Sequence, residues 1–341
     1  MKHFKYSIWV SLLGLGLAAW WGYSQGGIPV AMEAVSVAAI LAVMEVSLSF
    51  DNAVVNASIL RDWDRFWQGL FLSVGMIIAV FGMRLLFPLL IVAFAADLNL
   101  VDVWHLGMSR PEEYARHLTE HHAEIAAFGG MFLLLVFLDF LLDEDKELHW
   151  LGHVEKKLAS FGKVPSVAIM LAIMLLLTSL LLVGEHEKLA VLIAGLWGIL
   201  TYVLVDVVSN ILELEEEDPQ VGDMLKRGGV GGFLYLEVLD ASFSFDGVIG
   251  ALAITKDIVI IMLGLSIGAM FVRSMTVYLV RMGTLDKFVF LEHGAHYAIG
   301  ILALIMLASM KFHIPEIITG LVGVAFILAS LWSSMHHRNK L

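Results

Sequence analysis

Glu45-Val46-Ser47-Leu48-Ser49-Phe50-Asp51-Asn52 puts two carboxylates and an amide inside an otherwise apolar run, and the same pattern returns far along the chain. Residues 236–247 read LEVLDASFSFDG, and laying Asp246 on Asp51 puts Ser244 on Ser49, Ser242 on Ser47 and Asp240 on Glu45. The match continues into the segment after each copy, because Gly75 and Arg84 are nine residues apart, as are Gly264 and Arg273. A repeat outranks any single residue as a guide to architecture. Ionisable groups inside membrane spans are costly and point to function by default.

The rest of the composition says what surrounds these stretches. Of the 341 residues 59% are hydrophobic and only 16% charged, with a mean hydropathy of +0.85, whereas soluble domains carry about 25% charge. The chain reads as an all-α polytopic membrane protein in contact with a lipid bilayer. A crossing needs roughly 20 apolar residues, which gives about ten spans, at 5–23, 33–60, 66–96, 124–143, 164–183, 188–211, 233–255, 257–281, 293–310 and 315–335. The first lacks a small-residue cleavage site before Trp20 and Trp21 and reads as a retained helix. The expected architecture is one transmembrane domain over 1–341: repeat one at about 33–143, intervening helices at about 164–211, and repeat two at about 233–335. The polar segment 97–123 reads as water-exposed with a short surface helix, and Glu213 to Asp218 as the polar break between the halves.

Lys and Arg set orientation. With the N-terminus inside, 14 of the 21 fall in inside segments and five outside, with Arg84 and Arg273 in spans. Both termini are then cytoplasmic, the span count is even, and the two acidic copies run antiparallel. Inverted repeats meeting near the midplane are a recurrent plan of secondary transporters.

At 100° per residue, Glu45, Ser49, Asn52 and Asn56 share one stripe, and Glu237, Asp240, Ser244 and Gly247 share the corresponding one. Asp51 and Asp246 fall off these stripes, so either they face a different partner or each helix is broken near them, which Gly247 and Gly250 would permit; the local break is the preferred expectation. The candidate metal ligands are Glu45, Asp51, Asn52, Glu237, Asp240 and Asp246. Ser49, Ser244, Ser47 and Ser242 are hydroxyl neighbours, and Arg84 and Arg273 are the structural partners of carboxylates. An all-oxygen set suits a hard divalent cation such as Mn²⁺, Ca²⁺ or Mg²⁺. So many carboxylates at low dielectric need cations, protons or arginines, which predicts coupling between metal and protons. Cysteine is absent, excluding disulfides and thiolate metal sites. The net charge of −12, with no basic patch, argues against nucleic acid. No nucleophile arrangement or HExxH motif marks an enzyme.

These residues resemble the TerC family of integral membrane proteins, named for tellurium resistance and placed with LysE-type exporters. EVSLSFDNAVV (45–55) is similar to its Glu-rich DN motif, and LEVLDASFSFDGVIGALAITKD (236–257) to its second acidic motif. HYAIGILALIMLASMKFHIPEI (296–317) extends the likeness. After Asp246 the chain departs from the pattern, with Gly247, Val248 and Ile249 in place of Ser, Ile and Pro. The resemblance implies export of manganese across the bacterial inner membrane, with Glu45, Asp51, Asn52, Glu237, Asp240 and Asp246 carried over from the two motifs. The competing expectation is a non-transporting membrane scaffold, its metal site structural, serving a stress-response or secretion complex.

Overall fold

A glycine pair divides the first 44 helical residues, Lys5–Leu48 (α1), whose length is twice what one crossing needs. Gly26 takes φ −165°, ψ 24°, and Gly27 takes φ 74°, ψ −157°, a region open to glycine almost alone. The chain reverses there. A Cβ on Gly22 would stand 2.8 Å from the Ala34 Cβ, whereas continuous helix would hold those two positions about 18 Å apart. Pro29 sits in the first turn of the returning arm, where its missing N–H is no loss. Gly27→Ala is therefore expected to cost about 1–3 kcal/mol and lower the thermal midpoint of the detergent-purified protein. Gly16→Ala, in open space, should leave that midpoint unchanged.

The computed structural model describes residues 4–75, 77–96, 98–144, 146, 148–162, 166–213, 229–283, 288–312 and 314–338, and among them every regular element is helical. After α1 come α2 (Phe50–Leu60) and α3 (Arg65–Leu70), followed by π-helical Phe71–Gly75 and Ile78–Leu86 and then α4 (Phe87–Ala96). Next are α5 (Leu100–Ser109), α6 (Pro111–Glu120), α7 (His122–Leu142), α8 (His153–Ala159), α9 (Ser166–Ser179) and α10 (Lys188–Glu213). The chain ends with α11 (Val230–Ile254), α12 (Ile258–Arg281), α13 (Leu291–Ser309) and α14 (Glu316–Arg338). Residues 214–218 of the acidic break lie outside the described residues, as do the side chains of Glu213, Asp206, Asn210 and Asp246.

Among the described residues seven helices are long and apolar enough to cross a membrane: Lys5–Leu48, Arg65–Ala93, His122–Leu142, Lys188–Val205, Ile258–Arg281, Leu291–Ser309 and Ile318–His337. Their surfaces are the inverse of a soluble protein's. Trp9, Leu13, Trp20, Met174, Leu181, Trp197, Leu321 and Trp332 all face outward, so the apolar exterior requires a lipid solvent, and the protein is a multi-pass membrane protein. At the centre runs α7, apolar on all sides, with Met131, Phe132, Leu133 and Leu135 fully buried against α10 and α13.

Connections gather at two ends. At one, the Trp21 indole N–H donates to Asp257 (2.8 Å), Lys256 lies 3.5 Å from Glu112, and Val183 packs with Ala123 and Met310. At the other, Arg61 approaches Glu292 (4.0 Å) and His293 bonds the Leu148 carbonyl (2.9 Å). Segments expected on one side of the membrane thus touch one another. The 97–123 segment needs correcting. It forms two helices, α5 and α6, and buries Val103, Tyr114 and Leu118 in the core, because their apolar positions share faces that the polar composition of the segment conceals.

Candidate functional site

The first acidic stretch is broken as its sequence predicts. α1 stops at Leu48, Ser49 takes φ −102°, ψ 18°, and α2 restarts at Phe50. The second is not broken, since α11 continues through Gly247 and Gly250, and that expectation is corrected. Glycine permits a break without forcing one. At Gly247 the missing side chain serves close approach instead: a Cβ there would stand 2.8 Å from Glu45 Oε2.

Three contacts order the two copies. Glu45 meets Gly247, the Asn56 amide donates to Asp240 Oδ1 (2.7 Å), and Trp63 lies against Gly232. Numbers rise along one partner as they fall along the other, so the acidic stretches pack antiparallel. Beside them, α12 runs along the returning arm of α1, where Gly264 and Gly268 let Leu41 and Glu45 come close.

Glu45 is buried at the middle of this seam. Arg84, carried on the π-helical stretch Ile78–Leu86, forms an ion pair with its Oε1. The Ser49 hydroxyl donates to the same oxygen at 3.0 Å. Arg84 also donates through Nη1 to the Ala79 carbonyl (2.6 Å), while its Nε has no hydrogen-bond partner among the described residues. Glu237 is 5% exposed with neither oxygen hydrogen-bonded. It reaches the space left by Gly75, where a Cβ would collide with Glu237 Oε1 and lie 2.9 Å from Arg273 Nη2. The Arg273 guanidinium lies 4.0 Å over the Phe71 ring.

Asp51 points elsewhere. Its carboxylate accepts from the Asn52 backbone N–H (3.0 Å) and lies against Gly323 of α14, where a Cβ would be 2.9 Å from Oδ2. Two cavities meet this region. One of about 50 Å³ opens beside Ser49, Asp51, Asn52, His122, Gly247 and Thr319. The other, about 30 Å³, is lined by Ser49, Asn52, Asn56, Arg84, Asp240 and Arg273. Ser49 and Asn52 belong to both, so they form the partition between an outer and an inner chamber.

The five predicted ligands whose side chains are described therefore divide rather than closing one cage. Glu45 and Asp240 have protein partners, Glu237 lies near Arg273, Asp51 faces the outer chamber, and Asn52 stands between. Among the described residues no three His, Cys, Asp or Glu side chains converge. Ser244 is buried with its hydroxyl unpartnered. Ser47 and Ser242 are corrected as hydroxyl neighbours: each donates to the carbonyl four residues back, Val43 or Val238 (both 2.9 Å). Sequence reasoning missed the π-helical turns around Gly75 and Arg84, for which no pattern signals, and His122 on the outer chamber.

Together these features define an all-helical membrane protein with a buried polar seam between two oppositely directed acidic stretches. The chain belongs to the DUF475 family, described as a protein of unknown function, whose family model matches residues 50–341. That region begins inside the first acidic stretch, so Asp51 and the arginines fall within it while Glu45 and Ser49 precede it. No curated protein and no solved structure matches the chain.

Proposed function

We propose that this protein is a secondary transporter that exports a hard divalent cation, manganese first among the candidates, through the seam between the two acidic stretches. The observation that carries the reading is the shared partition: Ser49 and Asn52 border both chambers, so a cation passing from one to the other would meet oxygen donors where they adjoin. In this reading the two arms of α1 are separate spans, and α9 and α11 join them and the other six candidates to give ten crossings. The copies at 33–143 and 233–335 then form an inverted repeat, with both termini cytoplasmic in a bacterial inner membrane. The TerC resemblance supports the same substrate, and Glu45, Asp51, Asn52, Glu237, Asp240 and Asp246 are its proposed oxygen donors. Calcium or magnesium would suit the same chemistry, and proton exchange would balance charge. The protein is proposed not to be an enzyme.

A scaffold with a structural metal site is the second reading, favoured by one observation: Glu45 and Asp240 already have protein partners. Flux separates the two. In vesicles holding the purified full chain, with Mn²⁺, Ca²⁺, Mg²⁺ and Zn²⁺ compared at two pH values, the transporter is expected to move Mn²⁺ fastest. Binding without movement would establish the scaffold.

A further inference from the structure

The geometry points to Arg84 as a tethered cation: its guanidinium holds the Glu45 carboxylate until a metal ion displaces it, and so sets how tightly and how fast the ion is passed. This rests on the transport reading above. It deepens that reading by giving an arginine the part of an internal competitor.

The pair is deeply buried, with Arg84 and Glu45 side chains only 8% and 2% exposed. A wholly structural pair at that depth would have its charges balanced and its polar atoms satisfied. This one does not. Around the inner chamber the described acidic groups are Glu45, Glu237 and Asp240, against the guanidinium groups of Arg84 and Arg273, three acids to two arginines. The atoms without partners among the described residues fall on both sides of the exchange. Glu237 Oε1 and Oε2, Asn52 Oδ1 and Asn56 Oδ1 are acceptors with no described donor, while Arg84 Nε and Arg273 Nη2 are donors with no described acceptor. Both asparagines are more than nine-tenths buried and line the chamber. Unfilled oxygens around a small polar chamber offer a hard cation its ligands.

Glu45 is the carboxylate such a cation needs, because its second oxygen already reaches across to Gly247 on the opposite copy. While Arg84 holds the first oxygen, a metal ion there would face a guanidinium at ligand distance, and like charges at low dielectric exclude each other. Arg84 must therefore swing away when the ion arrives and return when it leaves. The segment that carries it winds as a π-helix, a geometry concentrated at functional sites. A returning guanidinium also expels the ion, which prevents a cluster with excess negative charge from becoming a trap.

The test uses the full chain in detergent and in vesicles, with Mn²⁺ as the probe. Arg84→Ala is expected to bind Mn²⁺ roughly tenfold more tightly and to move it at least tenfold more slowly than wild type. Millimolar methylguanidinium, which fits the vacated space, should compete with Mn²⁺ in Arg84→Ala and have no effect on wild type. Unchanged or weaker Mn²⁺ binding in a folded Arg84→Ala, or indifference to methylguanidinium, overturns the proposal. Should Arg84→Ala fail to fold, Glu45→Ala/Arg84→Ala removes both charges. That variant is expected to remain folded and lose Mn²⁺ flux, and wild-type flux in it would overturn the proposal equally. A wild-type protein that binds and moves none of the four cations fails the transport reading itself, whereas normal wild-type flux with an unaltered Arg84→Ala fails only the role of the arginine.

Discussion

Glu45→Gln is expected to destabilise the folded protein by about 3–5 kcal/mol, because it strands the Arg84 guanidinium in a buried site without its counter-charge. Set against a typical total of about 5–15 kcal/mol, that loss should show as reduced protein in the membrane and a lowered thermal midpoint. Glu45→Gln/Arg84→Gln should recover much of both, since neither partner is then left charged. Asp51→Asn behaves oppositely. Its carboxylate accepts one backbone N–H and faces the outer chamber, with no ion pair to an arginine or lysine among the described residues. The nearly isosteric amide keeps the acceptor for that N–H, so its cost in stability should stay at about 1 kcal/mol, well below that of Glu45→Gln, while Mn²⁺ flux falls by one to two orders of magnitude, about what the loss of a group supporting a metal site costs. Thermal melts and vesicle flux on the three variants check both halves. An Asp51→Asn protein with full flux would remove the outer chamber from the path.

The difference between these two acids was only partly legible in the sequence. A regular-helix projection puts Glu45, Ser49, Asn52 and Asn56 on one stripe and Asp51 off it, and the inner chamber is lined by the last three of that stripe, with Glu45 bonded to Ser49. Span positions were legible too, because a bilayer imposes a length that composition alone satisfies: 293–310 became Leu291–Ser309 and 257–281 became Ile258–Arg281. What the sequence concealed is what depends on partners. Gly247 reads as a hinge, yet its use is to admit Glu45 from another helix. Tyr114 and Leu118 sit in a segment whose overall polarity reads as solvent-exposed, and their burial follows from the shape of the core beneath. Arg84 was legible as the partner of some carboxylate through the repeat. Its choice of Glu45 depends on the wider turns that carry it, which have no residue signature.

Acidification should release the loop between α7 and α9, and Glu155 is the group that titrates. It has no exposed side-chain surface, and it forms an ion pair with Lys146 Nζ at 2.7 Å and accepts from the Leu151 N–H at 3.0 Å. Lys146 also donates to the Phe140 carbonyl (2.8 Å) and lies over the Phe140 ring, while His293 Nε2 stands 3.5 Å from Glu155 and bonds the Leu148 carbonyl. One carboxylate therefore ties the loop to α7 and α13. Burial pushes its proton affinity up, but the Lys146 ammonium and the Leu151 N–H outweigh burial and hold the group below the ordinary carboxylate value. A depressed folded-state value contributes stability that is present above the unfolded value, about 4.3, and is lost as pH falls through the folded one. The stability difference between wild type and Glu155→Gln should accordingly hold down to that unfolded value and then close, with cleavage of wild type by added protease rising in 148–162. Glu155→Gln leaves the Lys146 ammonium buried and unpaired, so at pH 7 it should cost about 3–5 kcal/mol and already show the loop exposed. Its curve should then meet that of wild type at low pH, where both side chains are neutral. A difference between the two proteins that shrinks steadily from pH 7, or a Glu155→Gln protein as stable as wild type at neutral pH, would mean that packing of α8 alone holds the loop in place.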